Sequence, residues 1–130
     1  MKITKNKVFL IEDELNIMSI YKMALETAGI GVEGITSGRE AMEKVKEMQE
    51  GKREKPSLVL LDLVLPDING LEILYAIKKN DATKGIAVFI LSNYTSDALL
   101  NMSYIKPDKF LVKANITPTQ LVNLVKQQII

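Results

Sequence analysis

An acidic residue, Asp62, ends a run of apolar residues that begins at Leu58. A buried carboxylate without a partner is costly in free energy, or it takes up a proton and becomes neutral. Asp62 therefore needs a cation, a metal ion or an opening to solvent. Polar residues that could meet this need also follow short apolar runs elsewhere in the chain, at Glu12, Asp13, Ser92 and Lys113.

Together, these residues favour phosphoryl transfer. Neighbouring carboxylates repel one another, and a hard divalent cation such as Mg²⁺ relieves the repulsion in a site built from oxygen ligands. Lys113 can pair with Asp62 and keep it ionised, as a nucleophilic carboxylate must be. Phosphoryl transfer depends mainly on positioning and charge neutralisation, and the Ser92 hydroxyl can donate a hydrogen bond to the transferred group.

Short apolar runs alternate with amphipathic segments along the chain. The runs predict five strands, at Val8–Ile11, Val32–Ile35, Leu58–Leu61, Ala87–Leu91 and Phe110–Val112. The other segments predict five helices, at Glu14–Ala28, from the capping box Ser37–Glu40 onward, at Leu71–Lys79, from Ser96 to about Met102, and from the capping box Thr117–Gln120 to Ile129. Strands that are apolar throughout indicate a parallel sheet covered on both faces.

This alternation predicts a doubly wound α/β fold of the flavodoxin-like type, with strand order 2-1-3-4-5 and residues 1–130 in a single domain. In such a sheet, ligands bind beyond the carboxyl ends of the strands, where the strand order reverses. The reversal lies between strands one and three, so Glu12, Asp13 and Asp62 are expected to flank it. Ser92 and Lys113 are expected to follow on the next strands outward.

Composition excludes several classes of function. The chain has no Cys and no His, which excludes disulfides, thiol catalysis and zinc sites with His or Cys ligands. A net charge of +1 gives neither the basic footprint of a nucleic-acid binder nor the polybasic cluster of a membrane binder. The first apolar run has only four residues, Val8–Ile11, too few for a signal or a membrane span. We expect a cytoplasmic protein.

Five strings in this order resemble the receiver domain of two-component response regulators, in particular its stand-alone, chemotaxis-regulator-like form. They are Val8–Glu14, Leu60–Asp67, Asn69–Gly70, Ile90–Ser92 and Phe110–Lys113, and the resemblance runs from Lys7 to Ile129. It implies a phosphorylation-switched signalling domain rather than an enzyme. Such a domain carries out its own Mg²⁺-dependent phosphorylation and loses the phosphoryl group by itself.

The resemblance also implies roles for the individual site residues. Asp62 would accept a phosphoryl group from a partner histidine kinase. Asp13, Asp62 and the backbone carbonyl of Val64 would ligate Mg²⁺, with Glu12 acting mainly through water. Ser92 would move to meet the phosphoryl group, and Lys113 would pair with it.

The switch and its partner surface follow from the same resemblance. Phe110 would change rotamer with the phosphorylation state. A downstream protein would bind the face formed by the fourth helix, the fifth strand and the fifth helix.

Val64 and Tyr94, two residues past Asp62 and Ser92, have no amide or carboxylate to orient an attacking water. Slow self-dephosphorylation is therefore expected.

The chain departs from the family pattern after Lys113, where Ala114 replaces the usual proline. Either the Lys113–Ala114 bond is trans and the loop is rearranged, or the bond is cis at a cost of about 2.5–4 kcal/mol. The need for Lys113 to point at the site favours cis. Asn93–Tyr94 and Ile105–Asp108 also differ from the small residues usual there, which predicts an unusual partner surface.

Other interpretations remain at this stage. Asp13 could be only the N-cap of the first helix. The chain could be a phosphohydrolase of the haloacid dehalogenase type, but those enzymes use Asp-x-Asp, whereas Val64 stands two residues after Asp62. It could also be a pseudo-receiver, a scaffold that never takes phosphate, although the complete set of polar residues argues against this.

Overall fold

Five parallel strands form one sheet in the order β2-β1-β3-β4-β5, as predicted. The computed structural model describes residues 7–93 and 105–129. The strands are β1 (Lys7–Ile11), β2 (Gly31–Ile35), β3 (Leu58–Leu61), β4 (Ala87–Ser92) and β5 (Lys109–Val112). The reversal of strand order falls between β1 and β3, so the carboxyl ends of these two neighbours define the predicted position of the site.

Four α-helices lie within the described residues: α1 (Leu15–Thr27), α2 (Gly38–Gln49), α3 (Gly70–Lys78) and a C-terminal helix (Pro118–Ile129). A single 3₁₀ turn, Lys113–Asn115, follows β5. The predicted fourth helix, from Ser96 to about Met102, lies outside the described residues. No helix in the described part of the chain is long and apolar enough to cross a membrane.

Capping side chains fix where two of these helices begin. The Ser37 hydroxyl accepts a hydrogen bond from the Glu40 amide at the start of α2. At the C-terminal helix the Thr117 hydroxyl accepts from the Gln120 amide, and the Gln120 side chain accepts from the Thr117 amide in return. Both helix starts were predicted from the sequence pattern.

The strands carry one apolar cluster on each face of the sheet. On one face Phe9 and Ile11 pack with buried residues of α2 and α3 such as Val45 and Ile73. On the other face Val8 and Leu10 pack with buried residues of α1 and the C-terminal helix. This double burial explains why β3 is apolar at every position, and β1 and β4 at all but one, rather than at alternate positions.

A network of ion pairs links β2 to α2 and to Arg53, which follows α2. Glu33 contacts Lys44 at 3.2 Å and Arg53 at 3.0 Å, and Arg53 also contacts Glu47 at 3.1 Å. Burial alone would raise the pKa of Glu33, but the hydrogen bonds and charges of Lys44 and Arg53 outweigh burial and hold the pKa below its ordinary 4.5. The network therefore stabilises the fold while Glu33 is ionised.

Replacing the Glu33 carboxylate should make the free energy of unfolding depend less on pH in the acid range. We expect Glu33→Gln to lower the free energy of unfolding by about 0.5–1 kcal/mol at pH 7. Because the folded pKa is depressed, the contribution is complete above the unfolded value and is lost as pH falls through the folded value. Urea denaturation at pH 7 and pH 3 measures both, with Glu26→Gln as an exposed control. An equal loss at the two pH values would contradict the assignment.

Candidate functional site

The sheet's own hydrogen bonds continue one residue beyond β1 and β3. The Glu12 amide donates to the Ile35 carbonyl at 2.9 Å, and the Asp62 amide donates to the Ile11 carbonyl at 3.1 Å. The backbones of both acidic residues are therefore held at the carboxyl ends of neighbouring strands, where the sequence predicted them. Their side chains are almost completely buried, with relative exposures of 1% for Glu12 and 6% for Asp62.

Lys113 supplies the cation that these carboxylates need. Its Nζ lies 2.5 Å from Glu12 Oε1 and 3.0 Å from Asp62 Oδ2, and its side chain is 7% exposed. A buried charge is tolerated when it is paired and hydrogen-bonded, and these contacts pair all three groups. The predicted contact between Lys113 and Asp62 is thus present in the structure.

The expected cis bond after Lys113 is wrong. No cis peptide bond occurs within the described residues, so Lys113–Ala114 is trans. The physical reason is that a cis bond before a residue other than proline is costly, whereas a trans chain can turn here as the 3₁₀ turn Lys113–Asn115. The turn still directs the ammonium group toward Glu12 and Asp62.

Burial and pairing act in opposite directions on the pKa values at this site. Burial raises the pKa of Glu12, and the hydrogen bond from Lys113 only partly offsets this effect. Burial by itself would lower the pKa of Lys113, but its hydrogen bonds to Glu12 and Asp62 carry the pKa above its ordinary value. The ammonium group is therefore held charged beside Asp62, while Glu12 takes up a proton more readily than a free glutamate.

The remaining carboxylate oxygens accept backbone hydrogen bonds. Asp62 Oδ1 accepts from the Val64 amide and Glu12 Oε2 accepts from the Glu14 amide, both at 3.1 Å. The N-cap of α1 is Glu14 rather than Asp13. The structure therefore does not support the interpretation of Asp13 as the cap of this helix.

Three carboxylates gather where the sequence predicted a metal site. Glu12, Asp13 and Asp62 each offer an oxygen, and these atoms lie within 4.8 Å of one another. That separation is comparable to the about 4 Å between two oxygens on opposite sides of a Mg²⁺ ion. One ammonium against three carboxylates leaves two negative charges in excess. The all-oxygen donor set and the charge both fit a hard divalent cation.

The loop from β3 to α3 folds back on itself beside Asp62. Val64 pairs with Asn69 in an antiparallel bridge, and the Gly70 amide donates to the Leu63 carbonyl at 2.9 Å. A Cβ atom at Gly70 would lie 2.5 Å from the Asp62 carbonyl oxygen. Only glycine permits this close approach, which keeps Val64 next to the acidic cluster.

Asn69 is a structural contributor that the sequence analysis missed. Its side chain accepts from the Leu71 amide at 2.9 Å, and the Glu72 carboxylate accepts from the Asn69 amide, which completes a capping box at the start of α3. The spacing Asn-x-x-Glu was the available signal. The cap fixes where the loop ends and the helix begins.

Ser92 and Phe110 occupy the neighbouring strands. Ser92 ends β4, is 1% exposed and pairs in register with Val112, the residue before Lys113. Phe110 lies in β5 opposite Ile90 and packs, partly buried, against the cluster that α2 and α3 cover. The site residues singled out by the sequence therefore lie in or shortly after the adjacent strands β1, β3, β4 and β5. Tyr94 lies outside the described residues.

Comparison with known proteins gives consistent matches. Residues 8–126 match the sequence profile of the family described as response regulator receiver domain. Regulatory protein LuxO of Vibrio cholerae serotype O1 is 32% identical over 104 residues, which make up 80% of this chain and 21% of that protein. This chain therefore spans about a fifth of the length of LuxO.

Two solved structures share the fold and part of the sequence. The phosphorylated cyanobacterial phytochrome response regulator RcpA is 30% identical, with a TM-score of 0.79, and the match covers 95% of this chain and 91% of RcpA. The Mn(2+)-bound form of response regulator Rcp1 is 26% identical, with a TM-score of 0.78, and the match covers 94% of this chain and 90% of Rcp1.

Removing the buried ammonium should destabilise the fold. We expect Lys113→Met to lower the free energy of unfolding by about 3 kcal/mol, because Glu12 and Asp62 lose their counter-charge. The measurement is made in the presence of a chelator, so that no metal ion replaces the lost charge. The value lies at the lower end of the range for broken buried pairs because Glu12 can take up a proton. Urea denaturation measures it, with the exposed Lys126→Met as control. A loss no larger than that of the control would contradict the prediction.

Proposed function

Because this chain belongs to the response regulator receiver domain family, whose members accept a phosphoryl group in two-component signalling, we propose that Asp62 is its phosphoacceptor. In this proposal a partner histidine kinase is the donor and Mg²⁺ is required. The single observation that carries the proposal is the contact between Lys113 and Asp62 beside the cluster of three carboxylates. Such a domain is a signalling module rather than an enzyme.

The reaction transfers a phosphoryl group to a carboxylate oxygen. An Asp62 oxygen attacks phosphorus, a phosphorus–oxygen bond forms, and the bond from phosphorus to the donor's nitrogen breaks. For this attack Asp62 must be ionised, and the charged Lys113 ammonium at 3.0 Å favours the ionised form. Lys113 would then turn from the carboxylate to the phosphoryl oxygens, where negative charge remains.

The acidic cluster provides the ligands for the cation. Asp13, Asp62 and the Val64 carbonyl would bind Mg²⁺ directly, and Glu12 would act mainly through water. When bound, the cation neutralises charge on the phosphoryl oxygens during transfer. The partly exposed Asp13 leaves the cluster reachable from solvent, and the relative Rcp1 has a solved Mn(2+)-bound form.

Signal output would begin at Ser92 and Phe110. In our proposal the Ser92 hydroxyl moves to donate a hydrogen bond to the phosphoryl group, and Phe110 changes rotamer in response. Ser92 pairs with β5 in register, so a shift at the end of β4 is transmitted directly to the strand that carries Phe110. A downstream protein would recognise the surface of β5 and the C-terminal helix together with the predicted fourth helix. We propose that the protein acts in the cytoplasm.

Removing the phosphoacceptor tests the proposal. We expect Asp62→Asn to abolish incorporation of phosphate from a small acyl phosphate in the presence of Mg²⁺, because a side-chain amide is not a nucleophile. Intact-mass spectrometry should show one phosphoryl group on the native protein and none on the variant. Asp81→Asn, at a residue whose side chain is 95% exposed, is the matched control and should take phosphate normally.

The same experiment separates the competing functions. Incorporation that survives Asp62→Asn unchanged would overturn the assignment. A native protein that binds neither Mg²⁺ nor a beryllofluoride mimic of the phosphoryl group would be a pseudo-receiver. Sustained turnover of a small phosphate ester would support the phosphohydrolase interpretation instead.

The lifetime of the phosphorylated state should depend on Val64. This side chain is 49% exposed next to Asp62 and has no polar atom to orient an attacking water. We expect the native acyl phosphate to outlast a timescale of seconds and Val64→Asn to shorten its half-life several-fold. Decay of the phosphorylated mass after removal of the donor measures this, with Met23→Asn as an exposed control on α1. Loss within seconds in the native protein would contradict the expectation.

A further inference from the structure

The tip of the β3–α3 loop is attached to the first turn of α2. Asp67 Oδ1 accepts from the Gly38 amide at 2.9 Å, and Asp67 Oδ2 accepts from the Arg39 amide at 2.8 Å. Asp67 Oδ1 also accepts from the amide of Ile68 at 3.1 Å. The contacts with Gly38 and Arg39 join residues that are 29 and 28 positions apart in the chain. The hydrogen bonds lower the pKa of Asp67, so its carboxylate is ionised at neutral pH.

The first turn of α2 leaves space for the side chain of Ile68 in this loop. A Cβ atom at Gly38 would lie 2.3 Å from Ile68 Cγ1, so the Ile68 side chain occupies the space that any other residue would need. Ser37 caps the next amide of the turn, that of Glu40. The first three amides of the helix therefore all donate, two of them to Asp67. We call the contact of Asp67 and Ile68 with Gly38 and Arg39 the clasp.

The clasp is connected along the chain to both halves of the acidic site. The strand that precedes α2 ends at Ile35, whose carbonyl accepts from the Glu12 amide. The loop that the clasp holds includes Val64, whose amide donates to Asp62 Oδ1. The segment from the end of β2 to the start of α2 is thus hydrogen-bonded to Glu12 through Ile35. The same segment is hydrogen-bonded to the β3–α3 loop through Asp67.

We propose that Asp67 is a positioning residue for cation binding, acting through the Val64 carbonyl. The Val64–Asn69 bridge closes the base of the loop, and the clasp fixes its tip. With both ends held, the peptide of Val64 keeps one orientation beside Asp62. Releasing the tip allows the peptide of Val64 to rotate, which removes a preorganised ligand without altering the three carboxylates. This inference rests on the proposed function, since it requires a divalent cation at the acidic cluster.

The test measures cation affinity of the folded protein. Free Mn²⁺ is quantified by electron paramagnetic resonance as protein is added, and folding is checked by urea denaturation. We expect Asp67→Ala to raise the Mn²⁺ dissociation constant by about 3- to 10-fold, less than the about 10- to 100-fold typical when a direct partner of a metal ligand is lost. Asp67→Asn should be intermediate, because its amide oxygen can replace only one of the two accepting oxygens.

A variant on the helix side tests the clasp without touching Asp67. Gly38→Ala introduces a Cβ that displaces Ile68, while alanine favours the helix more than glycine does. A lower Mn²⁺ affinity in this variant therefore reports the position of the loop rather than a weakened helix. The exposed Asp81→Ala, which removes a carboxylate far from the clasp, is the matched control.

Phosphorylation kinetics distinguish positioning from a structural role. With a small acyl phosphate, Asp67→Ala should raise the half-saturating Mg²⁺ concentration while leaving the rate at saturating Mg²⁺ within about two-fold of native. Mn²⁺ affinity within two-fold of native in both Asp67→Ala and Gly38→Ala would overturn the inference, while the role of Asp62 would stand. A native protein that binds no Mn²⁺ would overturn the inference and the proposed cation site together.

Discussion

The structure depends on the compensation of two buried carboxylates by one buried ammonium. Glu12 and Asp62 sit at the ends of adjacent strands, where their backbones complete the sheet and their side chains have little access to water. Lys113 directly follows β5, and β4 separates β5 from β3. Strands lie about 4.8 Å apart, so the lysine must span about two strand spacings to reach Asp62. The 3₁₀ turn after β5 and the length of the side chain together make this contact possible.

This geometry constrains the residue on the strand between. Ser92 is buried at the end of β4, the strand that lies between β3 and β5. A serine at this position is small, and Lys113 reaches Asp62 from the far side of β4. The charged residues beyond the strand ends are mutually dependent, since Lys113 pairs with both Glu12 and Asp62. The apolar strands beneath them provide the rigid base that keeps the charges in place.

Most of this arrangement could be predicted from the sequence. Strands that are apolar at every position indicate a doubly covered parallel sheet, and such a sheet brings the residues after its strands to one edge. This logic predicts Glu12, Asp62 and Lys113 at one edge of the sheet, where the structure brings them into contact. It works because strand order and residue order together determine the neighbours, without detailed knowledge of side-chain conformations.

The details that sequence did not reveal depend on local backbone geometry or on contacts between distant residues. The Lys113–Ala114 bond is trans because the chain can turn without a cis peptide, and residue types alone did not distinguish these routes. The contact of Asp67 with α2 joins residues 29 positions apart and has no periodic signal. The Asn69 capping box had a signal in its spacing, but it begins before Leu71, the first residue of the predicted helix.

The site thus has a fixed part and an adjustable part. The backbones of Glu12 and Asp62 belong to the sheet's hydrogen-bond ladder, so moving them would disrupt the core. Val64 belongs to a loop held by a bridge, a buried glycine contact and the Asp67 carboxylate, which is exposed. Loss of the exposed Asp67 carboxylate leaves the buried Leu63 and Leu65 in the core, so in the proposed function it changes cation affinity more than global stability. If the acidic cluster binds a cation as we propose, this division lets the fold retain its acidic centre while the loop sets the affinity.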